Sequence, residues 1–162
     1  ILSRLHEAWL INDKKNVLYW NDYLFGSRDS GELQAEEQQL AHALARLLGD
    51  LGIPEAIVWK KISRVCFITL FSLGVAHWKI PINDASWGYL WMWAENQVLA
   101  AIKLVPIGQT SGQKILSSAI EIIPELVSTG LSLKDEDIGY TAPGQGIASA
   151  LHETQYTRLF RS

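Results

Sequence analysis

The sequence predicts an all-α protein, a single-domain helical bundle of about six to eight helices that covers residues 1–162. Apolar residues recur at spacings of three, four and seven along most of the chain, which is the pattern of amphipathic helices. Gly and Pro separate these segments, and no alternation of period two is long enough to indicate a sheet. A length of 162 residues also fits one domain with its own core.

The first two helices are predicted from the N-terminal apolar pattern. The first covers residues 2–11. Asn12 and Asp13 interrupt the pattern, and either side chain could cap a second helix that reaches about Phe25. Residues 26–31 are expected to form a turn, because Gly and Ser dominate them.

The third helix has the clearest periodicity. Asp29 precedes Glu32 by three residues, which resembles an acidic capping box at the start of this helix. Pro54 prevents its continuation. We expect its buried face to consist of Leu33, Leu40, Leu44, Leu47, Leu48 and Leu51.

The fourth segment, residues 55–78, is apolar nearly all round and predicts one long helix at the centre of the bundle. Pro81 ends it. A fifth helix is expected from a cap at Asn83 or Asp84 to about Val105. Its apolar stripe is predicted to be Trp87, Leu90, Trp91, Ala94, Val98, Ala101, Ile102 and Val105.

A sixth helix is expected to open with a capping box formed by Thr110 and Gln113. Pro124 should kink or split it. The segment 134–146 resembles an exposed loop, and a short helix is predicted over 147–151.

Composition excludes several function classes. The formal net charge is −3 and basic residues are not clustered, which disfavours nucleic-acid binding. A single cysteine, Cys66, cannot form an internal disulfide and suits a reducing compartment. The apolar uncharged run 65–78 is too short to span a bilayer. Only 19% of the residues are charged, which fits either a large core or apolar surface reserved for a partner.

No motif for catalysis or metal binding stands out, so we predict a non-enzymatic protein without a stably bound cofactor. The four histidines have no His or Cys three or four positions away, although a dimer axis could still supply a second ligand. The apolar surroundings of Cys66 should raise its pKa and favour a packing role. Glu32, Glu36 and Glu37 are better explained as a solvated or partner-facing acidic ridge than as a catalytic pair.

The tryptophans divide into two groups. Trp87 and Trp91 share a helix face and are expected to fill the core, whereas Trp93 points elsewhere and is a candidate for an interface.

Residues 152–162 form an amphipathic tail. Tyr156, Leu159 and Phe160 alternate with Arg158 and Arg161, and aromatic residues and arginine dominate interface hot spots. The residues alone leave three alternatives open, namely a partner-docking peptide, a strap on its own domain and a frayed end.

Three blocks of the sequence resemble the urease accessory protein F (UreF) family. They are Ser27-Arg-Asp-Ser-Gly-Glu-Leu33 with Glu36-Glu37, the stretch 93–113 with its core K-L-V-P-x-G-Q-x-x-x-Q, and the terminal H-E-x-Q-Y-x-R-L-F-R-S. Their order and spacing extend the resemblance over essentially the whole chain. Asp29 and Gly31 depart from the first block, and the family's N-terminal segment is missing, so we expect an N-terminally truncated chain.

The resemblance implies an all-helical, cytoplasmic, often dimeric protein that assists nickel insertion into urease. It would bridge the GTPase UreG and the accessory protein UreD (UreH in some bacteria), dock on the urease apoprotein and regulate GTP-dependent nickel delivery.

The resemblance also implies site residues. The docking segment for UreD would contain Gln155, Tyr156, Arg158, Leu159, Phe160 and Arg161. Lys103, Gln109 and Gln113 would lie near the GTPase-facing surface, with Glu32 and Glu36 as further candidates. A cation such as Lys103 is favoured at a helix C-terminus by the helix dipole.

Two alternatives to a scaffold remain open. A strict GTPase-activating protein would need an arginine finger, for which Arg28, Arg46 and Arg64 are candidates. A metal-dependent hydrolase is the more remote alternative, because spaced ligands are missing from the sequence.

Overall fold

The computed structural model describes residues 1–139 and 142–156, and these residues confirm the all-α prediction. Within them lie eight α-helices and a 3-10 turn, Asp135–Asp137, and no strand. The helices are α1 (Leu2–Leu10), α2 (Lys14–Gly26), α3 (Gly31–Asp50), α4 (Glu55–Trp59), α5 (Phe67–His77), α6 (Ile82–Leu104), α7 (Gln109–Ser132) and α8 (Pro143–Glu153).

The chain groups into two compact units. The first contains Ile1–Lys79 together with the residues from Asp137 onward, and therefore α1–α5 and α8. The second is Ile80–Glu136, which contains α6 and α7. That all these helices share one domain stays a prediction.

Helix α5 is the centre of the first unit, as its apolar sequence predicts. Its buried residues lie all round the helix, and α1 and α3 both pack on it. Helix α2 packs on α1 and is capped by Asp13, whose Oδ1 accepts from the Asn16 N–H at 3.1 Å. The capping role therefore belongs to Asp13 and not to Asn12. Burial also raises the pKa of the Cys66 thiol, to about 12, as expected for a packing residue.

The predicted long helix over 55–78 is wrong, because the chain leaves the helix between α4 and α5. Cys66 is extended, with φ −104° and ψ 145°, and its N–H donates to Asn21 Oδ1 at 3.1 Å. The Phe67 N–H donates to Glu37 Oε2 at 2.9 Å, and the Arg64 carbonyl accepts from Asn21 Nδ2 at 2.8 Å. Side chains from α2 and α3 thus replace the backbone partners that a continuous helix would have used.

Two further predictions, both about α3, are wrong. Its cap is Ser30, whose Oγ accepts from the Leu33 N–H at 3.2 Å, so the proposed box with Asp29 does not form. Its buried residues are Ala41, Ala45 and Leu48. Alanine lets two helices approach closely, which is why α3 packs on α5 through this face. Of the predicted leucine stripe, three members are instead exposed, namely Leu40, Leu47 and Leu51.

The second unit is a hairpin of α6 and α7. The two helices approach so closely at Gly112 that a Cβ there would lie 2.5 Å from Ile102 Cδ1. Val98, Leu116 and Ile123 are buried. Most residues of the apolar stripe predicted for α6 are half-buried, but Val105 is exposed.

The helix ends in the second unit differ from the predictions. Helix α6 begins directly after Pro81, one residue before Asn83, without a side-chain cap. Helix α7 begins after Gly108, also without a side-chain cap, so the proposed capping box is wrong. It continues through Pro124 without splitting.

In the part of the chain that the structure describes, one helix, α7, is long and apolar enough to cross a membrane by length and composition. That criterion is weak evidence for a single helix, because core helices also meet it.

The Asn21 side chain gives a direct test of the fold. We expect Asn21→Leu to lower the free energy of unfolding by about 2–4 kcal/mol, because buried partners on Arg64, Cys66 and Thr69 lose their hydrogen bonds. Urea unfolding measures the change. Asn96→Leu, at an exposed site on α6, is the control and should change stability by less than about 0.5 kcal/mol. Equal effects of the two variants would contradict the role of Asn21.

Candidate partner-docking surfaces

The N-terminus of α3 is joined to α8 by three side-chain contacts, which we call the α3–α8 clasp. Ser30 Oγ lies 2.6 Å from Ser149 Oγ. The Glu32 N–H donates to Glu153 Oε1 at 3.0 Å, so a carboxylate from α8 helps to satisfy the first turn of α3. His152 Nδ1 lies 2.6 Å from Glu32 Oε2. The clasp fixes the end of α8, the point from which the predicted docking segment departs.

Two glycines lie close to side chains on the other side of the clasp. A Cβ at Gly146 would lie 3.0 Å from Asp29 Oδ2, and one at Gly31 would lie 3.3 Å from Glu153 Oε1. A larger side chain at Gly31 would displace the Glu153 carboxylate, and one at Gly146 would displace the Asp29 side chain. Gly31 and Asp29, which depart from the resembling block, therefore both face α8.

The first two residues of the predicted docking segment are exposed just beyond α8. The Gln155 N–H donates to the His152 carbonyl at 3.1 Å, which continues the turn at the helix end. Tyr156 is fully exposed. The other predicted members, Arg158, Leu159, Phe160 and Arg161, lie outside the described residues. Helix α8 is longer than the helix predicted over 147–151. It begins at Pro143, a residue that suits the first turn of a helix.

The three carboxylates of the predicted acidic ridge have different surroundings. Glu32 belongs to the clasp. Glu37 pairs with Arg28 and accepts from the Phe67 N–H, so it holds the start of α5. Glu36 is exposed to solvent. Of the two acids implied for a partner surface, Glu36 is therefore the more accessible.

The residues implied for the GTPase-facing surface lie at one end of the α6–α7 hairpin. Lys103 is in the last turn of α6, where the helix dipole favours a cation. Gln109 is the first residue of α7, and Gln113 follows one turn later. All three are exposed, and Leu104 and Val105 beside them are exposed apolar residues. This end of the hairpin thus presents polar and apolar groups together.

The tryptophans of α6 differ in exposure. The rings of Trp87 and Trp91 stack with centroids 5.9 Å apart, and both are half-buried. Trp93 is 56% exposed, which makes it available for an interface as its position on the helix predicts.

Among residues 1–139 and 142–156, no group of three or more His, Cys, Asp or Glu side chains could hold a metal ion. His42 Nε2 lies 2.8 Å from the Ile62 carbonyl, and His152 is in the clasp. Burial lowers the pKa of His6, with Glu7 opposing the shift.

Sequence reasoning missed Ser30, Ser149 and Glu153 as parts of one surface. About 120 residues separate the two sides of the clasp, as in the spacing of 121 between Glu32 and Glu153. A local pattern cannot show such a contact, although Ser30 is a common cap residue and could have been recognised as one.

The clasp can be tested at Glu153. We expect Glu153→Ala to speed hydrogen exchange of the Glu32 amide about fivefold, since a lost helix cap costs about 1 kcal/mol. Exchange detected by NMR measures this residue by residue. Glu125→Ala, at an exposed site on α7, should leave that amide unchanged. An unaltered Glu32 amide in the Glu153 variant would show that the clasp does not form in solution.

Comparison with known proteins agrees with the resemblance. The sequence profile of the family described as UreF matches residues 1–120. The urease accessory protein UreF of Alkalilimnicola ehrlichii is 50% identical over 161 residues, which cover 99% of this chain and 71% of that protein. The UreF of Hahella chejuensis is 41% identical over 162 residues, covering 100% of this chain and 72% of that protein. With matches of this extent and identity, the chain belongs to the UreF family of urease accessory proteins.

Proposed function

We propose that this protein is a non-enzymatic scaffold for urease maturation. It bridges the GTPase UreG and UreD (UreH), docks with them on the urease apoprotein and regulates GTP-dependent nickel insertion in the cytoplasm. Nickel is the cargo of this assembly and not a resident cofactor. The observation that carries the proposal is the fully exposed Tyr156 directly beyond the end of a helix fixed by the clasp.

The geometry at α8 suits a docking peptide. An exposed aromatic ring is costly in water and gains contact area when a partner covers it. Because the clasp holds α8, the partner does not have to order the root of the segment, and less conformational entropy is lost on binding. UreD is the partner that we assign to residues 155–161.

We assign the GTPase to the end of the α6–α7 hairpin. Lys103 offers a cation that an acidic surface of UreG could pair with, and Gln109 and Gln113 offer amide groups for hydrogen bonds. Glu36 and Glu32 add acidic groups at the start of α3. A homodimer would present each of these surfaces twice.

Removal of residues 156–162 should abolish co-elution with UreD. Tyr156→Ala alone should weaken UreD binding by at least about tenfold, because central aromatic residues commonly contribute 2 kcal/mol or more. Size-exclusion chromatography and calorimetry with purified UreD provide the measurements. Leu40→Ala, at another exposed position, should bind normally. Normal UreD binding by the truncated chain would refute the assignment of the tail.

Strict GTPase activation is the second candidate function. The surroundings of the three candidate arginines narrow the choice of an arginine finger. Arg28 pairs with Glu37, and the Arg64 guanidinium lies 5.2 Å from the centroid of the Phe25 ring. Arg46 is exposed, and the described residues offer it no ion-pair partner. It is therefore the candidate that could reach into the active site of another protein.

GTP turnover by UreG separates the two functions. For a scaffold, we expect Arg46→Ala to change turnover in the complex by less than about tenfold, whereas loss of an arginine finger costs roughly 10³–10⁵. Lys61→Ala, which removes another exposed cation of the first unit, is the control. A collapse of turnover in the Arg46 variant alone, with UreG still bound, would favour strict activation over the scaffold.

A further inference from the structure

One side of α6 is exposed from Trp93 to Leu104. Trp93, Ala100 and Leu104 follow one another at spacings of seven and four residues, so their side chains lie in line along the helix. Trp93 is 56% exposed, Leu104 is 52% exposed, and Ala100 between them is exposed too. The neighbouring polar residues on this side are exposed as well. We call this side the α6 outer face, and it consists of Trp93, Asn96, Gln97, Ala100, Lys103 and Leu104.

The outer face points away from α7. A Cβ at Gly112 of α7 would lie 2.5 Å from Ile102 Cδ1 and 3.2 Å from Val98 Cγ1, so α6 meets α7 through these two side chains. Ile102 follows Trp93 by about two and a half helical turns, and the two side chains therefore project from opposite sides of α6. Packing within the hairpin leaves the Trp93 ring uncovered.

The outer face has the composition of the centre of a protein interface. Aromatic residues are enriched and charged residues are depleted at such centres, and tryptophan is among the residues that contribute most to binding. Trp93 provides a large ring. From Asn96 to Leu104, Lys103 is the only charged residue of the sequence. Asn96 and Gln97 beside the ring can form hydrogen bonds without the desolvation of a charge.

The size of a typical interface connects the outer face with the surface assigned to UreG. A specific interface buries roughly 800 Å² on each partner, which is a patch with a radius of about 16 Å. Lys103 follows Trp93 by an axial distance of about 15 Å. A patch of standard size centred on Lys103 therefore reaches Trp93. The two glutamines assigned to UreG together with Lys103, Gln109 and Gln113, provide no apolar centre.

Charge complementarity favours UreG over a second copy of this chain. Lys103 needs an acidic group from whatever covers it. None of the six residues of the outer face is acidic, so a second copy docked face to face would bring no carboxylate to Lys103. The GTPase, to which we assign an acidic surface at Lys103, meets this requirement.

We propose that the UreG-binding surface extends along the α6 outer face and that Trp93 is its apolar anchor. UreG pairs an acidic group with Lys103 at one end of the face and covers the Trp93 ring at the other. Lys103 orients the GTPase on α6, and Trp93 contributes most of the apolar burial. The anchor depends on the proposed assignment of UreG to the end of the hairpin.

Titration of purified UreG into the complex of this chain with UreD tests the anchor. We expect Trp93→Ala to weaken UreG binding by at least about tenfold in calorimetry, and Trp93→Phe, which keeps an aromatic ring, by less than about threefold. Trp78→Ala removes a tryptophan that is 51% exposed and lies outside the outer face, and it should bind UreG normally. Unfolding curves confirm that each variant is folded. Normal UreG binding by Trp93→Ala would overturn the proposal.

Lys103→Glu separates the anchor from the proposed function. It should weaken UreG binding by at least about tenfold, because it reverses the charge that meets the acidic group. Weak binding by the Lys103 variant with normal binding by Trp93→Ala would overturn the anchor and leave UreG at the end of the hairpin. Normal binding by both variants would refute the hairpin assignment and the anchor together.

The salt dependence of binding identifies the kind of contact. The loss caused by Trp93→Ala should be the same at about 0.05 M and 0.5 M NaCl, whereas the loss caused by Lys103→Glu should shrink, because salt screens charges and not apolar burial. A loss in Trp93→Ala that disappears at high salt would overturn the apolar anchor.

Two controls exclude other occupants of the outer face. Trp93→Ala should bind UreD normally and should sediment as the unaltered chain does. Loss of UreD binding in this variant would place the ring in the UreD interface and overturn the proposal. A shift from dimer to monomer would place it between two copies of the chain and overturn the proposal equally.

Discussion

The side chain of Asn21 is the constraint from which the first unit is built. It lies 1% exposed in α2 and bonds to the backbone on both sides of the bend that precedes α5. Thr69 Oγ1 donates to the same Asn21 oxygen at 2.9 Å. A buried amide that satisfies three partners is costly to replace, and it defines where the apolar segment turns. The direction of α5 follows from that bend.

The position of α5 then determines what surrounds it. Helices α1 and α3 pack on α5, and Glu37 of α3 accepts from the backbone at the start of α5. Once α3 is placed, its N-terminus offers free N–H groups to which Glu153 of α8 can bond. The root of the tail is thus connected to the core through α3. The surface that we propose for docking is in this way held by the same contacts that hold the fold.

Much of the fold was predictable, and the residues show why. Hydrophobic spacing and cap chemistry report local structure directly. They predicted the first helix, the second helix that ends near Phe25, the cap at Asp13 and the central position of α5. The α3–α8 clasp and the bend before α5 were not predictable. They join groups far apart in sequence, such as Asn21 and Cys66, which are 45 residues apart. The buried face of α3 was wrongly assigned because leucine is more apolar than alanine, whereas close packing on α5 selects the small side chains.

The sequence by itself determined the all-α class, the order of the main helices and the family, because spacing, Gly and Pro, and contiguous motifs are properties of the chain read in order. Only the tertiary structure decided which face of α3 is buried, where the segment 55–78 bends and which side chains hold α8. It also decided which side of α6 packs on α7 and which side stays exposed at Trp93. These outcomes depend on the free energy of packing and hydrogen bonding between distant segments, which no short stretch of sequence contains.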